Sequence, residues 1–150
     1  METSLLNKIV QSKAGTAALI LRVPVGLILA AHGAQKLFGW FGGNGLVGTA
    51  RWLSSMGMEP GLLMAVLAGS AEFFGGLALV LGVLTRPAAV VAAFTMLVAI
   101  FSVHIGNGLF AADGGYEYAL VLMVALIALA IQGGGYLSID KALSEKIGQV

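Results

Sequence analysis

Four apolar runs occupy most of this chain: Ala14 to Phe38, Gly61 to Leu84, Pro87 to Ile105 and Tyr116 to Ile131. Each comes close to the roughly 20 residues that an α-helix needs to cross the hydrocarbon core of a bilayer. A lone segment in hydrocarbon must satisfy its own backbone N–H and C=O groups, and a helix does so. The residues are 59% hydrophobic and 10% charged, whereas a soluble domain carries about 25% charge. The runs therefore predict an all-α membrane protein, a single four-transmembrane-helix bundle filling all 150 residues.

The connections carry their own signals. Between Gly39 and Pro60, Leu46, Ala50, Leu53 and Met56 recur at helical spacing opposite Thr49, Arg51, Ser54 and Ser55. That pattern predicts a short amphipathic helix at the outer interface, with Trp40 and Trp52 as headgroup-level anchors. Pro24 interrupts the first run, where its missing N–H favours a kink. Pro60 and Pro87 suit first helical positions, which need no N–H. Gly133-Gly134-Gly135 ends the fourth helix. Beyond it, Ser138 is placed to cap a short amphipathic tail helix with Ile139, Ala142, Leu143 and Ile147 on its apolar side.

Basic residues set the orientation. Lys8, Lys13, Arg22, Arg86, Lys141 and Lys146 fall on one face of a four-span protein, and Lys36 and Arg51 on the other. Six of the eight basic residues are then inside if both termini are cytoplasmic. Lys8 and Lys13 precede an apolar run as a signal peptide would require, but Arg22 interrupts it and no A-x-A site closes it. An uncleaved first helix is expected. A net charge of +1 from dispersed bases argues against nucleic acid as a partner. Absence of cysteine removes thiol redox chemistry and thiolate-held metals from this chain. Two histidines are too few for an all-histidine zinc site.

A charge in hydrocarbon costs at least about 2.5 kcal/mol on insertion scales, so intramembrane ionisable residues face the protein and have partners. The candidates are Arg22, His32, Lys36, Glu72, His104 and Glu117. Ala65, Ala68, Gly69, Glu72, Gly75 and Gly76 share a small-residue face of the second run, which permits close helix packing. Arg22, Gly26, Ala30 and Gly33 form a similar stripe on the first. At about 1.5 Å per residue, Arg22 lies about 9 Å deep, Glu72 about 18 Å, and the other four about 24–30 Å. Glu72 is expected to pair with Arg22, and the outer four to complete a polar pocket. Against that stand blander roles: Lys36 snorkelling to headgroups, Glu117 favouring a helix N-terminus, and the ion pair merely locking helices.

A pocket of this kind suits a quinone, because histidine and carboxylate groups exchange protons with its oxygens while apolar helices hold its tail. Haem b between His32 and His104 is the weaker option, since both residues lie near the membrane edge.

The segments HGAQKLFGWFGGNG, GSAEFFGGLALVLGVLTRPAA, GGYEYALVLMVALIAL and GGGYLSID occur in that order. Together they make the chain resemble the DoxX family of bacterial membrane proteins. The family's early basic residue, its glutamate followed by glycines and its glutamate opening the fourth span match Arg22, Glu72 with Gly75-Gly76, and Glu117. The resemblance implies a four-span inner-membrane oxidoreductase component that interacts with quinone and with a soluble or membrane-bound redox enzyme. No nicotinamide or flavin fingerprint is present, so the partner would supply the other half-reaction. A rival reading is a non-catalytic anchor or a permeation protein, and a homo-oligomer fits either.

Overall fold

The computed structural model describes residues 5–12 and 14–147, with helices, turns and loops and no strand among them. Lys13, one of the bases used for orientation, lies outside the described residues. The helices are α1 (Leu5–Val10), α2 (Thr16–Phe38), α3 (Gly45–Ser55), α4 (Gly61–Leu81), α5 (Thr85–Ala99), α6 (Glu117–Gln132) and α7 (Ile139–Ile147). A π-helical turn, Ile100–His104, and a 3-10 turn, Ile105–Asn107, extend α5. Three stretches are long and apolar enough to cross a membrane: α2, α4 and Thr85–Asn107. The fourth apolar helix, α6, has 16 residues, a rise of about 24 Å.

Leu, Ala, Val and Ile alternate around α2, α4, α5 and α6 with no charged face, so these helices are apolar all round. Their inner sides share one core, in which Leu29, Leu79, Ala89, Ala92, Leu126 and Leu129 are fully buried. The outward sides leave Phe74, Val90, Phe94, Phe101, Val121 and Ile131 exposed. A large apolar surface of that kind suits hydrocarbon as its solvent.

The tightest packing is antiparallel, between α2 and α4. A Cβ added at Gly26 would lie 2.6 Å from the carbonyl oxygen of Gly76, and one at Gly76 would lie 2.5 Å from the amide nitrogen of Ala30. A Cβ at Gly33 would overlap the backbone of Phe73 and Gly69. Glycine is required here because backbone meets backbone. The seam fixes the register: Gly26 stands level with Gly76, and Gly33 with Gly69.

Two expectations about the connections change. Thr49, assigned to the polar face of α3, is buried and its hydroxyl donates to the Lys36 carbonyl at 3.3 Å. The Ser54 side chain and the Ala50 carbonyl crowd Gly61, so this face of α3 rests on α4. The helix rotates because a hydroxyl with a carbonyl partner is inexpensive to bury. Pro87 is the third residue of α5 and Pro60 precedes α4, while α2 runs continuously through Pro24. Trp40 and Trp52 are well exposed, as anchors would be. Ser138 caps the tail helix as expected, its hydroxyl accepting the Lys141 N–H at 3.1 Å.

Candidate functional site

Lys36 and Glu72 meet inside this frame. Lys36 Nζ lies 2.5 Å from Glu72 Oε2, with side-chain exposures of 26% and 4% respectively. The geometry follows from helix chirality. Each Cα–Cβ bond tilts toward its own helix N-terminus, so on antiparallel helices Lys36 and Glu72 lean toward each other. A charged hydrogen bond of this kind is strong. Lys36 thus turns into the protein instead of snorkelling outward.

Arg22 does not pair with Glu72, contrary to the sequence expectation. In the α2–α4 register it stands level with Val80, eight residues from Glu72 along the seam, about 12 Å. Its side chain also tilts the other way. The guanidinium donates from Nε to Gly134 O at 3.0 Å, from Nη1 to Leu79 O at 3.0 Å and to Val80 O, and from Nη2 to Tyr136 O at 3.3 Å and Leu137 O at 2.7 Å. Leu79 and Val80 belong to the last turn of α4, where carbonyls run out of i+4 donors; the Leu79 carbonyl also accepts the Gly82 N–H at 3.1 Å. Arg22, 1% exposed, therefore joins α2 to the end of α4 and to the segment after α6.

Beside it sits Asp140, which sequence reasoning passed over. It is 1% exposed. Its carboxylate accepts the Leu84 N–H at 2.7 Å and the Thr85 N–H at 2.8 Å, and so caps α5 from α7. Leu84 holds a left-handed φ of 47° there, a conformation that the two carboxylate bonds help to sustain. The closing GGGYLSID segment contained the one sequence signal for this cap.

The remaining candidates gather at the opposite end. The ring of His32, one turn before Lys36, lies 6.1 Å from the Tyr118 ring of α6. His104 Nδ1 lies 2.7 Å from the Gly114 carbonyl, which requires the proton on Nδ1. Glu117 accepts the Ala111 N–H at 2.7 Å. His104 and Glu117 thus fold the 105–116 connection, and the six candidates divide among three places. Among the described residues, no three His, Asp or Glu side chains converge as metal ligands would.

What the arrangement offers chemically is a titratable Lys36–Glu72 pair within an apolar span. His32 stands on the same side of α2, and the half-exposed Tyr118 opens that edge to lipid. The family model described as DoxX matches residues 17–105. The chain is 30% identical over 122 residues to "Putative oxidoreductase CatD" of Bacillus subtilis, covering 81% of this chain and 83% of that protein. It is 34% identical over 127 residues to inner membrane protein YqjF of Escherichia coli, covering 81% and 95%. Against inner membrane protein YphA of the same organism it is 30% identical over 128 residues, covering 82% and 87%. No solved structure matches. The glycine seam, the apolar helices and matches of this extent lead to one conclusion: the chain belongs to the DoxX family of membrane proteins.

Proposed function

We propose that this protein is a four-span component of the inner membrane with both termini cytoplasmic. In this reading the outer ends of α2, α4 and α6 receive the head of a quinone or a similar lipid-soluble redox molecule. One observation carries it: Lys36 and Glu72 form a close pair where hydrocarbon would make isolated charges costly. Lys36, Glu72 and His32 supply protons to quinone oxygens, Tyr118 and apolar neighbours border the entry from lipid, and a partner enzyme supplies electrons. His104 and Glu117 shape the outer connection, and Arg22 holds the inner end. The oxidoreductase name of the Bacillus relative supports the redox class.

Binding of a quinone analogue to the purified protein tests this proposal. His32→Ala should weaken it about fivefold, the worth of one hydrogen bond near 1 kcal/mol. Glu72→Gln should weaken it at least as much, and Asp113→Asn, in the exposed connection, should leave it unchanged. Glu59 is a poorer control because its carboxylate accepts the Gly61 N–H at the start of α4. Unaltered binding in both His32→Ala and Glu72→Gln would remove the quinone site, and a Soret band lost in either histidine mutant would assign haem instead. A second reading, a non-catalytic anchor or permeation protein, draws on the same pair: Lys36 and Glu72 neutralise each other across the glycine seam, as a helix lock would. No analogue binding by folded wild type favours that reading.

A further inference from the structure

At the end of the molecule that carries α1 and α7, a cavity of about 440 Å³ opens between the α1–α2 connection and the ends of α5 and α6. Gln11, Ala14, Arg86, Ile131 and Gln132 line it. Arg86 is its only ionisable wall residue among those described. Nη1 donates to Ala130 O and Nη2 to Gln11 O, each at 3.2 Å. A guanidinium has five N–H groups, so three remain, and Nε is buried without a hydrogen-bond partner among the described residues. The ion pairs among those residues are Lys36–Glu72 and Lys141–Glu145, so no described carboxylate neutralises Arg86.

The walls are held in place independently of any ligand. The Ser12 hydroxyl donates to Gln132 O at 2.7 Å and accepts the Gly135 N–H at 3.1 Å, which ties the α1–α2 connection to the end of α6. The side chains of Gln11 and Gln132 are exposed at the rim. Ile131, 69% exposed, continues the cavity onto the apolar flank of α6. A guanidinium with no carboxylate partner among the described residues, two amides and an adjoining apolar wall match a phosphate ester that carries an acyl chain. In the proposed orientation this end faces the cytoplasmic leaflet, which is rich in anionic lipid.

We propose that this cavity binds the phosphate of an anionic phospholipid, with Arg86 as the charge, Gln11 and Gln132 as amide donors, and Ile131 beside the acyl chain. The site is separate from the Lys36–Glu72 cluster and does not depend on a redox role.

Native mass spectrometry of the full chain in mild detergent tests it, with phosphatidylglycerol and phosphatidylcholine of identical acyl chains as probes. Wild type should retain one phosphatidylglycerol about tenfold more tightly than phosphatidylcholine, as expected for one charged hydrogen-bonded contact. Arg86→Gln should lose that preference. So should Gln132→Glu, which leaves both Arg86 hydrogen bonds intact and therefore separates binding from folding. Arg51→Gln, on α3 at the far end, should behave as wild type. Equal retention of the two lipids by wild type, or an unchanged preference in Gln132→Glu, would overturn the proposal. Displacement of the lipid by millimolar inorganic phosphate would overturn it as well, by assigning the site to a free anion.

Discussion

Five carbonyls converge on the guanidinium of Arg22, whereas Glu72 takes a single partner, Lys36. The two sites predict different mutational behaviour. Removing one member of a buried ion pair leaves an uncompensated charge and costs about 3 kcal/mol, whereas replacing both by apolar groups of similar size is close to neutral. Glu72→Leu and Lys36→Met should therefore each lower the unfolding midpoint in detergent, and the double mutant should recover most of the loss. Simple additivity of the two losses would show that the side chains do not interact. At Arg22 no such rescue exists. Lysine has three donors on a flexible stem, so Arg22→Lys strands carbonyls and should cost at least about 2 kcal/mol. Because three of those carbonyls belong to Gly134, Tyr136 and Leu137, limited proteolysis should cut this segment faster in the mutant. Cleavage at the wild-type rate would mean that Arg22 does not hold it.

The decisive contact between elements is the α2–α4 seam, and neighbouring glycines on α4 differ sharply. A Cβ at Gly76 would strike the backbone of Gly26 and Ala30, whereas one at Gly75 meets only the Ala88 carbonyl at an ordinary 3.8 Å. Gly76→Ala should force the helices apart and cost about 1–3 kcal/mol, the usual range for overpacking. Gly75→Ala should be neutral or stabilising, since alanine is the better helix former by about 1 kcal/mol. Thermal melts of the two purified mutants check this, and equal destabilisation would argue against the observed register. The α5 cap crosses a longer distance in sequence. Asp140→Ala removes both carboxylate bonds at Leu84 and Thr85 and should cost about 1–2 kcal/mol. Asp140→Asn keeps one acceptor and should cost less. A melt ranking Asn below Ala would count against the capping role.

For the molecule as a whole, the testable claim is topology. Cysteines replacing Asn44 and Asp113 should react with a membrane-impermeant reagent added outside intact cells, and one replacing Lys146 only after lysis. All three side chains are exposed, so burial does not confound the result. Gly43 is unsuitable, since a Cβ there would strike the Gln35 backbone. Reaction of Lys146→Cys in intact cells would overturn an even number of spans with cytoplasmic termini. The short α6 makes this measurement informative, because its 16 residues leave the fourth crossing to depend on its flanks.

Helical architecture, the positions of the four apolar helices, a short helix at 45–55 and the Ser138 cap were all legible in the sequence. Each rests on local properties: hydropathy summed over a turn-length window, turn residues, and a hydroxyl next to a helix start. The sequence also singled out Glu72 on its small-residue face. It named the wrong partner for Glu72, Arg22 where the structure has Lys36. Two basic residues on α2, Arg22 and Lys36, lie about a third of a span to either side of Glu72, and depth along separate helices, which carries no information on their relative register, pointed to Arg22. The choice came from the glycine seam, which sets the register of α4 against α2, and from the tilt of each Cβ toward its helix N-terminus. Asp140 reaches α5 across 55 residues of sequence, and Arg22 reaches Leu137 across 115. Contacts of that separation leave no periodic trace, because they depend on where whole helices come to rest. Hydrophobicity along the chain therefore determined that these segments are apolar helices suited to a membrane, and close backbone packing decided which charges meet between them.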